Sequence, residues 1–99
     1  MVFAMEPAVV GVSAATQSGL ASEMGAVAGA VSPALLGVTH MGGDADSLLF
    51  AEVCRAVAAA HLGVAGQHAV ARGLFSGAQS LAAVTAVATE AMRAAAAAI

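Results

Sequence analysis

The stretch GVTHMGGDADS, Gly37–Ser47, decides how this chain folds. It is the one clear interruption in a sequence that otherwise favours helix. Gly42-Gly43 breaks any regular element. Asp44 or Asp46 can then cap a new helix, because a carboxylate there accepts from free backbone N–H groups and suits the positive end of the helix dipole. The chain therefore reads as two helices joined by a turn.

Upstream, Glu6-Pro7 is a start signal, since proline suits the first helical turn. Helix 1 is expected over about 7–36. Leu20, Met24, Val27, Val31 and Leu35 recur at helical spacing and form one stripe. Ser13, Thr16, Gln17 and Glu23 lie largely off it. Gly19, Gly25 and Gly29 weaken the helix and leave room for a neighbouring backbone to approach. Ser32-Pro33 marks a disturbance or an early end.

Downstream of a turn at about 37–45, helix 2 is expected over about 46–84. Phe50, Val53, Val57, Ala60, Val64, Ala71 and Leu74 make a heptad-like seam, with Gln67 the polar intruder. Leu49, Leu62, Val70 and Phe75 lie off that seam, so this helix is apolar on more than one face. Such a helix is buried on two sides. One side is accounted for by helix 1; the other needs something the chain does not contain. Gly73 and Ser76-Gly77 are positions where helix 2 could bend or fray. The Ala-rich segment 85–99 reads as a helical or frayed tail.

Composition bounds what this architecture can do. The 99 residues allow one small domain, with the hydrophobic share of 61% dominated by 29 alanines. There is no Trp or Tyr and there are three Phe. Alanine favours helix but adds little buried area, so interfaces are thin and a solitary core is poor. Net charge is −3 with no lysine, and three arginines cannot form the basic stripe that nucleic acid requires. The same lack argues against an anionic membrane surface. The longest uncharged stretch, Met24–Gly43, has the length of a membrane span. Pro33, its glycines and His40 argue against one. The opening residues MVFAMEP have no basic segment before an apolar run, so they do not read as a secretory signal.

No catalytic or metal constellation emerges. Cys54, His61 and His68 are spaced by sevens, and seven helical residues rise about 10.5 Å, too far to share one metal or form a nucleophile–base pair. Cys54 reads as a small apolar side chain. MGGD lacks the lysine and preceding strand of a phosphate loop. The residue eleven places after Asp44 is Arg55 where a Ca²⁺ loop needs Glu. The expectation is a non-enzymatic protein with no cofactor and no small-molecule ligand.

The layout resembles the PE family, the short helical proteins that mycobacteria export by type VII (ESX) secretion. Family members begin close to M-S-F-V-x-x-x-P-E, and this chain begins MVFAMEPA with the Pro-Glu pair reversed. An Ala-rich first helix leads to a P-x-x-A-D-x-V-S-like turn, matched here by MGGDADS with Asp44 and Ser47 in place. A Phe in the first turns of helix 2 is matched by Phe50. The later H-x-x-F stretch is matched by RGLF ending at Phe75, with Arg72 where the His would stand. The family's Y-x-x-x-[DE] export signal falls on Ala86 to Glu90: the acid is present and the tyrosine is replaced by alanine.

The resemblance implies a binding role. A PE protein pairs with a PPE protein, two helices from each forming an elongated four-helix bundle. An EspG-type chaperone holds the PPE tip in the cytosol before the type VII machinery exports the folded pair to the cell envelope or beyond. On this reading Leu20, Met24, Val27, Val31, Leu49, Phe50, Val53, Val57, Val64, Leu74 and Phe75 form the partner interface. Ala86 and Glu90 stand in the signal region, and Gly42, Gly43, Asp44 and Asp46 form the turn and cap. Two other readings compete. One is a homodimer in which two copies close their own bundle; the other is a small membrane protein.

Overall fold

A computed structural model describes residues 4–99; the part of the opening motif on Met1–Phe3 lies outside the described residues. Among the described residues the chain is all-helical, with two helices and no strand. Helix α1 spans Pro7–Leu36 and helix α2 spans Ala45–Ala97.

The ends of these helices follow from local chemistry. Val10 N–H donates to the Glu6 carbonyl at 3.1 Å. Glu6 is therefore the cap and Pro7 the first helical residue, where a missing N–H costs nothing. Pro33 does not end α1: the helix continues to Leu36. The half-buried Leu35 anchors that last turn. Gly37 ends it instead. Its N–H donates to the Pro33 carbonyl at 2.9 Å, and a Cβ at Gly37 would lie 2.6 Å from that same oxygen. Only glycine closes this turn without displacing the backbone.

Asp44 caps α2. Its carboxylate accepts from the Ser47 backbone N–H at 3.1 Å and from the Ser47 hydroxyl at 2.7 Å. These bonds, the hydroxyl first, hold the Asp44 carboxyl below its ordinary range. Asp46 sits in the first turn beside it, where a negative charge suits the dipole. Gly42 belongs to this cap as well, because a Cβ there would approach Asp44 Oδ1 to 2.7 Å. Gly43 meets no such crowding.

Helix α2 passes without interruption through Gly73 and Ser76-Gly77, and segment 85–97 is its continuation. Nine alanines from Ala82 to Ala97 supply the propensity for that continuation. Ser76, expected at a bend, is buried and donates its hydroxyl to the Ala14 carbonyl at 2.7 Å. A serine so bonded has no unmet polar group to disturb its helix.

The chain divides into two compact units. One combines the chain up to Leu20 with Ala71–Ile99; the other is Ala21–Val70. In the first, bonded partners pair Arg72 with Gln17, Ser76 with Ala14, and Gln79 with Ser13. Numbers rise on α2 as they fall on α1, so the two segments run antiparallel. In the second, the turn is folded back by Arg55, whose Nε donates to the Val38 carbonyl at 2.8 Å.

Candidate partner interface

Burial separates small side chains from large ones. In the Ala21–Val70 unit, the buried and half-buried positions recur every three or four residues. They include Ala21, Met24, Ala28, Ser32 and Leu35 on α1, and Ala51, Cys54, Ala58, Leu62, Ala65 and Ala69 on α2. This is a helix–helix seam at coiled-coil spacing, filled mainly by alanine. Ala51 and Ala58 are 2% and 8% exposed. Cys54 is a half-buried free thiol on the same seam.

The large apolar side chains face elsewhere. Val27 stands immediately before the seam residue Ala28. Phe50, Val57 and Val64 stand immediately before Ala51, Ala58 and Ala65. In an antiparallel pair, residues one step ahead of the seam on either helix lie on the same side of it, because each is turned about 100° back around its own axis. These four side chains therefore share one flank, bordered by Val31 and Val53. Phe50 is 71% exposed, Val57 64% and Val27 62%. The opposite flank, one step after the seam, carries Gly25, Gly29, Glu52, Arg55, Ala59, Gly63 and Gly66, all small or polar.

The sequence stripe of helix 1 thus splits in the structure. Met24 and Leu35 are half-buried on the seam, whereas Leu20, Val27 and Val31 are exposed. Leu49, Phe50, Val53, Val57, Val64, Leu74 and Phe75 are all exposed. The heptad-like row of large residues on helix 2 is not the row that meets helix 1; the alanine row beside it is. The reason is geometric: alanine seams let two backbones approach closely, and longer side chains are left at the periphery.

A set of seam residues was missed in the sequence. In the unit that combines the chain up to Leu20 with Ala71–Ile99, Arg72 Nη1 donates to Gln17 Oε1 at 2.8 Å, and Gln79 Nε2 donates to Ser13 Oγ at 2.8 Å. With Ser76 and the Ala14 carbonyl these form a polar ladder across the seam. Ser13 and Gln17 were read as lying off the apolar stripe, and so they do: of that stripe only the exposed Leu20 belongs to this unit. The signal that could have located the ladder is the 4-then-3 spacing of Arg72, Ser76 and Gln79.

The glycines also read differently in space. A Cβ added at Gly19, Gly25, Gly29, Gly63, Gly66, Gly73 or Gly77 would meet nothing within 4 Å. Among the described residues no neighbouring backbone uses the room they leave.

Toward the C-terminal end, Ala86 is half-buried and Glu90 is exposed, paired with Arg93 at 2.9 Å. Both line an open groove of about 600 Å³ whose other wall is Met5 and Pro7. Two surface-exposed, paired charges of this kind contribute about 0–1 kcal/mol to stability.

No protein-family model, no curated protein and no solved structure matches this chain.

Proposed function

We propose that this chain is a non-enzymatic partner-binding subunit of PE type. On this reading its helical hairpin completes a four-helix bundle with a PPE-type protein, and the pair is exported folded by a type VII system. The observation that carries the reading is the apolar flank formed by Val27, Phe50, Val57 and Val64, left uncovered beside a seam of alanine. Surface area supports it. The chain exposes 7145 Å², whereas a compact monomer of this mass exposes about 5,000 Å². The surplus of roughly 2,000 Å² per chain is of the size that obligate complexes bury. The open glycines add to this, since each costs up to about 1 kcal/mol in a helix relative to alanine and none meets a neighbour among the described residues.

The test is co-expression with a PPE-type protein. The reading expects a soluble complex, while the lone chain is aggregation-prone through its exposed flank. A lone chain that is soluble, monomeric and indifferent to that protein overturns it. A discrete dimer of the lone chain with a cooperative melt supports self-assembly instead.

A membrane reading has one observation in its favour. Both helices contain stretches apolar enough to cross a bilayer, and small or polar seams with large apolar residues outward also suit lipid-facing helices. Against it, α2 has 53 residues, well beyond the roughly 20 a span requires, and His61, Gln67 and His68 are exposed in its middle. Resistance of the expressed protein to carbonate extraction would favour the membrane reading over the partner-bound one.

A further inference from the structure

We propose that His61 and His68 make the covering of the apolar flank proton-dependent: the partner surface opposite them is uncharged, and the complex holds at neutral pH and loosens in acid. The proposal rests on the reading of that flank as a partner surface.

The two histidines belong to the flank by position. Phe50, Val53, Val57, His61, Val64 and His68 follow one another at steps of three or four, the spacing of a single helical stripe. Both imidazoles are exposed in the single chain. A chain that covers Val57 and Val64 therefore covers His61 between them and His68 one turn beyond. The imidazole is the side chain whose charge ordinarily changes between pH 5 and 8. Enclosure among valines disfavours its charged form. The free chain then holds protons that the complex excludes, so lowering the pH favours the free chain.

The other charged groups do not reverse this sign. No charged residue stands within one turn of His61 on α2. On α1 the one charged side chain is Glu23, one step before the seam residue Met24 and so on this flank. It favours a charged His68. Arg72, one turn after His68 on α2, opposes that, while its own guanidinium bonds Gln17 Oε1. Glu52 and Arg55 lie on the opposite flank and pair with each other. Asp46 is fifteen residues from His61, about 22 Å along the helix. His40 lines the cavity beside Phe50 at the turn. A carboxylate on the partner would itself have to be buried among the valines, which costs more than a neutral contact. An uncharged surface is the one this flank fits.

The experiment titrates the full chain with the purified PPE-type protein at pH 7.5 and pH 5.5, with helix content followed by circular dichroism. One imidazole kept neutral in the complex weakens binding about tenfold between these pH values, and two weaken it about 100-fold. His61→Gln with His68→Gln keeps His40 and every carboxylate, and should remove that 100-fold shift. Each single variant should keep about tenfold, and the singles carry the test if the double variant binds too weakly to titrate. Helix content should be equal at both pH values, since the Ser47 bonds hold the Asp44 cap charged well below this range. Equal shifts in the unaltered and double-variant chains overturn the proposal and leave the partner reading standing. Tighter binding of the unaltered chain in acid also overturns it, because an acid then stands opposite. No binding by the unaltered chain at pH 7.5 overturns the partner reading and this proposal with it.

Discussion

Replacing Phe50 probes the uncovered flank most sharply. Phe50 is 71% exposed in the single chain, so its side chain contributes little to the fold and most of its area is available to a partner. Full burial of a Phe contributes up to about 3 kcal/mol; the exposed fraction corresponds to about 2 kcal/mol. Phe50→Ala should therefore weaken binding of the PPE-type protein roughly 30-fold. Phe50→Asp should do more, because it also places an unpaired carboxylate in the contact. Neither change should lower the helix content of the free chain. The assay is titration calorimetry or a competition pull-down against the purified partner. Ala59→Glu, at an exposed site on the other side of α2, serves as the control. Ser13 is unsuitable as a control because its hydroxyl accepts from Gln79. Unchanged affinity in both Phe50 variants, with normal folding, refutes the assignment of this flank to the partner.

Other outcomes follow from particular residues. Asp44→Ala should lower the melting temperature at neutral pH by removing the α2 cap. The Ser47 bonds depress the folded-state pKa of Asp44. Its stabilisation is therefore present above the ordinary carboxylate value of about 3.9 and is lost as pH falls through the folded value. The gap between wild type and Asp44→Ala should close on acidification; a gap independent of pH contradicts the cap. Gly63→Ala meets open space and should stabilise the free chain by up to about 1 kcal/mol, or about 4–8 °C in a thermal melt. Ala86→Tyr should raise export without changing partner binding, read by immunoblot of culture filtrate; equal export of the two forms shows that this tail is not read as the family's signal.

The helical class and the turn were legible because they rest on strong local chemistry. Pro7, the Gly42-Gly43 pair and Asp44 each act within a few residues of themselves. Pro33 did not shorten the expected helix, because proline near a helix end costs a single bond and Leu35 on the seam outweighs that cost. Ser76-Gly77 misled for a related reason: a serine that resembles a break in sequence is satisfied across the seam by the Ala14 carbonyl. The direction of each stripe was the hardest feature to read. Sequence periodicity locates rows of large residues, such as Phe50, Val57 and Val64, but not what they face. In a chain this rich in alanine, the row that packs within the molecule is the least conspicuous one, Ala51, Ala58 and Ala65.

The central claim is that the flank beside that alanine row is covered by a second, different chain. Light-scattering mass of the co-expressed and purified proteins tests it most directly. The account predicts a mass equal to one copy of this chain plus one of the PPE-type protein, and no discrete oligomer of this chain alone. A stable, monodisperse species of this chain by itself, unchanged when the second protein is present, would contradict it.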